Sequence, residues 1–233
     1  MSDPGEIAVA KERAAHELAP IDAAYAAGEI DEATWHARVG EIVEAGYLTA
    51  ATPQGQSGHS GDDARWEHAR RLVLDAVERR GTLLDVGCAN GLLMESVHRW
   101  SQEDGRALEP YGVEISAPLA DLARTRCPQW ADRIWTANAN GWTPPPRVDV
   151  VRTGLDYVPA DRGADYVRPL LTAVVAPGGR LVVGTYNEER DRDTLADLVR
   201  SWGYVVVGST TREHRHPALA YKAFWVDSEP PGS

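Results

Sequence analysis

The stretch LLDVGCANGLL, Leu83 to Leu93, decides the fold of this chain. An apolar run closes on an acid, Asp85. A glycine-bearing turn follows from Gly87 to Gly91, and a second apolar run with helical spacing begins at Leu92. That order reads as strand, tight turn, helix. In open α/β sheets ligands gather at the carboxyl ends of strands, where the following helix offers free N–H groups and the positive end of its dipole. A dinucleotide site needs G-x-G-x-x-G, and the glycines here fall only at Gly87 and Gly91. No G-x-x-x-x-G-K-S/T occurs, so the phosphate-cradling P-loop is also excluded. What remains is Asp85, two residues before the first glycine, a placement suited to a ligand that carries an ammonium group.

Working outward, Tyr111-Gly112-Val113-Glu114 is a short strand that ends in a second acid, 23 positions after Gly91. Nucleoside-binding sheets place a ribose acceptor at about that interval, and a carboxylate can accept from both vicinal hydroxyls. Ile115 beside it is suited to packing on an adenine face. The pattern D-x-G-C-x-x-G, with Glu114 after it, resembles the first motifs of the class I S-adenosylmethionine (SAM) dependent methyltransferases. The segment LLTAVVAPGGRLVVGTYN, residues 170–187, is similar to that family's helix, PGG turn and fifth strand. The resemblance covers roughly Asp62 to Val226. It implies an α/β fold: a mostly parallel, Rossmann-like sheet of seven strands with helices on both faces and an antiparallel hairpin at one edge. It also implies SAM as cofactor, held by Asp85, Gly87, Cys88, Ala89, Gly91, Glu114, Ile115, Asn138, Ala139 and Thr153. Asn138 stands where the family often has an acid facing the adenine amino group; its amide oxygen can still accept there.

Composition agrees with a globular protein and restricts its partners. Of the 233 residues, 43% are hydrophobic and 25% charged, with a formal net charge of −11. That charge argues against broad contact with nucleic acid, because affinity for the phosphate backbone comes from Lys and Arg. Two cysteines, Cys88 and Cys127, give neither a disulfide framework nor a metal-spaced cluster. His214 and His216 lack a clear third ligand, and no metal is expected. The N-terminus has no signal pattern and no apolar run spans a bilayer, so the expectation is a cytoplasmic protein without membrane contact.

Three segments follow. Residues 1–50 carry apolar positions at helical spacing (Ile7, Ala10, Ala14, Leu18, then Trp35, Val39, Ile42 and Val43 after Asp31). They read as a helical hairpin, either a cap or a dimerisation appendage, which leaves monomer and homodimer both open. Residues 51–61 form a glycine- and serine-rich loop or lid, and residues 62–233 the SAM-binding domain. The expected helices include Ala164 to Ala176, and the expected strands include Ile134 to Ala139, Arg180 to Thr185 and Tyr204 to Val207.

For the acceptor side, Arg152, Asp156 and Trp66 are candidate substrate contacts, and His59, Tyr157 and Tyr186 candidate catalytic groups. An Arg near the end of a central strand must be paired or reach a cleft. The expected activity is in-line transfer of the sulfonium methyl to the oxygen or nitrogen of a small molecule. The alternatives are a protein or peptide methyltransferase and a SAM-binding module that transfers nothing.

Overall fold

A computed structural model describes residues 17–228. Residues 17–26 are helical (α1), and Asp31 caps α2 (Glu32–Leu48) by accepting from the Thr34 N–H at 2.8 Å. The Trp35 indole donates to Asp22 at 2.8 Å and ties the two helices together. The expected apolar positions Ile7, Ala10 and Ala14 lie outside the described residues. Residues 51–61 contain one short 3-10 turn, Gly55–Ser57, before Asp62 caps α3 (Asp63–Arg70).

Seven strands follow: β1 (Gly81–Val86), β2 (Leu108–Glu114), β3 (Ile134–Thr136), β4 (Val148–Thr153), β5 (Val175–Glu189), β6 (Val206–Glu213) and β7 (Leu219–Asp227). Their spatial order is β3-β2-β1-β4-β5-β7-β6. The first five run parallel, and β7 is antiparallel to both β5 and β6. Helices α4 (Leu92–Glu103), α5 (Ala117–Arg126), α6 (Gly163–Pro169) and α7 (Thr194–Ser201) supply the crossovers. Because the central strands are covered on both faces, they are near-continuous apolar runs rather than alternating ones. In β1, Leu84 and Val86 pack into the core on one face, and Leu83 into the core on the other with Leu72, Val97 and Trp100. The order reverses at β1, whose neighbours are β2 and β4, and a crevice opens above such a switch point.

Four boundaries differ from the sequence expectation. The helix expected to reach Ala176 is regular only to Pro169, which has no N–H to give, and it widens into a single broad turn over Leu170–Val174. Strand β5 then starts before the PGG turn. Val148 pairs with Val175 and Val150 with Arg180, so Pro177 to Gly179 loop out as an irregularity within the strand. Strand β3 stops at Thr136 because Asn138 turns the chain, its Oδ1 accepting from the Asn140 N–H at 2.9 Å. Strand β6 begins later than expected and extends through Ser209, Thr210 and Thr211, polar residues of an edge strand that no apolar run announces.

Candidate active site

Two cavities open above the switch point. The smaller, about 220 Å³, is bounded by the tips of β1, β2 and β3 and contains Glu114, Ile115, Asn138 and Ala139, with Trp35, His36 and Val39 of α2 above them. The larger, about 510 Å³, lies over the tips of β1, β4 and β5 and contains Asp85, Arg152, Trp66, Tyr186 and Arg70. They meet at Tyr47, Gly87, Ala89, Asp156 and Tyr157, which line both.

The turn after β1 joins the two. Gly87 and Gly91 have φ of +69° and +79°, and Ala89 has φ of +48°, the one positive value on a non-glycine among the described residues. A left-handed alanine costs roughly 1–2 kcal/mol. The conformation turns its N–H onto Glu114 Oε2 at 2.9 Å, while the Ser116 N–H meets Oε1 at 2.9 Å. Glu114 is thus fixed from two sides, yet each oxygen keeps capacity for a further donor such as a hydroxyl. Burial raises its pKa, and the backbone bonds oppose that shift.

Asp85 is only 1% exposed and receives the Arg152 Nη1 at 3.1 Å. Burial pushes its pKa up to about 6, although Arg152 pulls the other way. Arg152 also donates to the Val86 carbonyl at 3.3 Å, to the Tyr157 hydroxyl at 3.1 Å and to the Tyr186 hydroxyl at 3.2 Å. The buried Arg is therefore both paired and in the cleft. Trp66 lines the larger cavity, its indole N–H held by Ser96 at 2.9 Å. Cys88 faces the same cavity, and burial raises its thiol pKa well above the ordinary range.

Three expected site residues are elsewhere. His59 is outside both cavities. Its ring packs edge-on against Trp66 at 5.6 Å, its Nδ1 accepts from the Gly61 N–H at 3.0 Å, and burial, followed by Arg70 and Arg65, pushes its pKa down to about 3. Gly91 is where α4 meets α5. A Cβ there would approach Ala123 and the Cys127 sulfur to 3.2 Å, so the glycine serves packing. Thr153 is fully buried and bonds the Tyr166 hydroxyl at 2.6 Å beneath the cavity floor.

The sequence reading missed Arg70 and Tyr47. Arg70 is 7% exposed and lines the larger cavity, and its side chain makes no ion pair or hydrogen bond among the described residues. It packs on the Tyr186 ring, 3.3 Å from the centroid, and near Trp66 at 5.2 Å. The available signal was a charge four residues after Trp66, on a helix face otherwise made of Trp66, Ala69 and Val73. Asn90 also has a specific task. Its Nδ2 donates to the Pro53 carbonyl and to Gln56, and its Oδ1 receives the Ser57 hydroxyl, which fastens residues 51–61 to the turn.

No family model matches this sequence, and no curated protein matches it. Solved structures do resemble the fold. The Burkholderia thailandensis 1,6-didemethyltoxoflavin-N1-methyltransferase, solved with its substrate and S-adenosylhomocysteine, aligns with a TM-score of 0.54 at 15% identity, over 72% of this chain and 81% of its own. The N-methyltransferase NodS from Bradyrhizobium japonicum WM9 gives 0.54 at 15% identity, over 71% and 96%. The 4+2 cyclase SpnF gives 0.59 at 15% identity, over 83% and 96%. The chain therefore has the Rossmann-like fold of the class I SAM-dependent methyltransferases. Since a cyclase shares it, the fold alone does not name the reaction.

Proposed function

We propose that this protein is a methyltransferase that binds SAM across the two cavities and transfers its methyl group to a small molecule. The observation that carries this is the pair of joined chambers, with Glu114 in one and Asp85 in the other on either side of the Gly87–Ala89 turn. The nucleoside fits the smaller chamber, its ribose hydroxyls on Glu114 and its adenine between Ile115 and the Asn138–Ala139 turn. The amino-acid end extends into the larger chamber, its ammonium toward Asp85 and its carboxylate toward Arg70. The sulfonium then falls near Tyr157, where the chambers meet, with its methyl facing the remaining space of the larger one. Gly91 and Thr153 contribute to this cofactor set only by packing.

Most of the rate would come from alignment and exclusion of water, since the sulfonium already activates the methyl. A small acceptor is favoured over a protein side chain because Tyr47, Ser57 and Gly58 roof the larger cavity. The buried side of α2, with Trp35 and His36, faces the smaller cavity, which favours a cap over a dimer surface and, with it, a monomer. Among the described residues no helix is long and apolar enough to cross a membrane. Titration with SAM, S-adenosylhomocysteine and NAD tests the cofactor, with mass spectrometry of the purified protein for a retained nucleoside. The two sulfur nucleosides should bind and NAD should not. Binding of NAD alone would replace this function with that of another nucleoside-binding protein, and SAM binding without transfer across an acceptor screen would favour a non-transferring module.

A further inference from the structure

We propose that the acceptor is a small oxyanion, a carboxylate or an ionised phenol, whose charged oxygen is received by the hydroxyl groups of Tyr157 and Tyr186. This rests on the methyl-transfer function above and names its substrate class. A guanidinium only donates, so both phenols bound to Arg152, at 3.1 and 3.2 Å, act as acceptors toward it. Their own O–H groups are left to donate elsewhere, and no described residue takes either. Two hydroxyl donors thus share one cation and line one cavity, with Tyr157 at the junction where the methyl would be. Arg152 is the positioning residue, itself anchored by Asp85 and the Val86 carbonyl.

Two glycines let these rings lie close against the backbone. A Cβ on Gly87 would come within 2.9 Å of the Tyr157 ring, and one on Gly184 within 2.7 Å of the Tyr186 hydroxyl. Burial raises the Tyr157 pKa, so this phenol keeps its proton and remains a donor.

Charge points the same way. With the amino-acid end of the cofactor counted as neutral overall, Arg70, Arg152 and the sulfonium face one buried carboxylate, Asp85. Asp156 also lines the cavity but is exposed, where water screens it. An anion relieves this imbalance and a cation adds to it. A general base is poorly supplied: among the described residues no histidine lines the larger cavity, burial raises the pKa of Tyr47 as well, and of the two carboxylates there Asp85 is taken by Arg152 and Asp156 is exposed. An oxyanion needs none. Its lone pair forms the O–C bond as the C–S bond breaks, the bonding pair passes to sulfur, and S-adenosylhomocysteine and a methyl ester or methyl ether result with no proton transferred.

The test uses benzoate and its neutral counterpart benzamide, each titrated calorimetrically into protein saturated with S-adenosylhomocysteine. The Tyr186→Phe variant keeps the ring for Arg70 and removes the hydroxyl, which is both the donor toward the acceptor and one of the oxygens that Arg152 binds. Benzoate should bind the wild type about tenfold more tightly than benzamide, and Tyr186→Phe should remove most of that difference. Equal affinity for the two probes, no benzoate binding to the loaded protein, or undiminished benzoate binding by Tyr186→Phe would each overturn the proposal. Failure to load S-adenosylhomocysteine at all would instead strike the cofactor assignment on which it rests.

Discussion

Asp85 carries the strongest physical tension among single residues. The carboxyl is enclosed at a strand tip beside Arg152, and enclosure outweighs the ion pair, so it holds its proton up to about pH 6. An unfolded chain releases that proton near pH 4. Between those values the native state binds more protons than the unfolded one, so this group's contribution to stability falls as pH rises through the window. Strain of this kind is characteristic of a site that a ligand completes. If the ammonium of the cofactor supplies the missing charge, affinity for S-adenosylhomocysteine should decline as pH drops below about 6, approaching tenfold per unit. Asp85→Asn should bind weakly at every pH with this dependence removed. Titrations from about pH 5 to about pH 7 measure it, and a flat wild-type profile would remove Asp85 from the cofactor site. Arg70 is the complementary case, a buried cation with no ion-pair partner among the described residues. The sequence placed its charge on an apolar helix face but not its role, because it is the approach of Tyr186, from a strand more than a hundred residues away, that encloses it.

At the scale of elements, the parts legible in the sequence were those whose pattern is local. The strand–turn–helix at Leu83–Leu93, the acid closing β2 and the capped α2 follow from apolar runs and cap residues a few positions apart. The early start of β5, the short β3 and the polar edge strand β6 depend on partners distant in sequence or on a side chain turning the backbone, and these were not legible. The task of α2 was likewise open, since an amphipathic face does not say what it covers. In the fold it roofs the smaller cavity through polar latches: Glu32 to Arg162 at 3.0 Å, Glu32 to the Asn140 amide, and Glu44 to the Ser116 hydroxyl at 2.6 Å. Latches at a partly exposed interface are worth at most about 1 kcal/mol each, weak enough for a roof that must open. Glu32→Ala removes two of these latches and should therefore speed release of S-adenosylhomocysteine by up to about thirtyfold without loss of fold. Stopped-flow displacement checks this, and an unchanged release rate would mean that α2 covers the cavity without gating it.

For the molecule as a whole, the sheet's reversal at β1 sets two acids on neighbouring strands beside chambers that share a glycine turn. The formal charge of −11 favours the approach of a cofactor with net positive charge. Screening over roughly 8 Å at physiological salt leaves acceptor choice to groups inside the cavity, where two arginines and three phenols stand. In the proposed complex Glu114 grips a nucleoside sugar at the tip of β2, and the rest of the site is arranged around that grip. Calorimetric titration of S-adenosylhomocysteine into wild type and Glu114→Ala tests it directly. Each lost bond to the charged oxygens is worth about 1.5–3 kcal/mol, so affinity should fall by about tenfold or more while the circular dichroism spectrum is preserved. A folded Glu114→Ala protein that binds the nucleoside as tightly as the wild type would contradict the account.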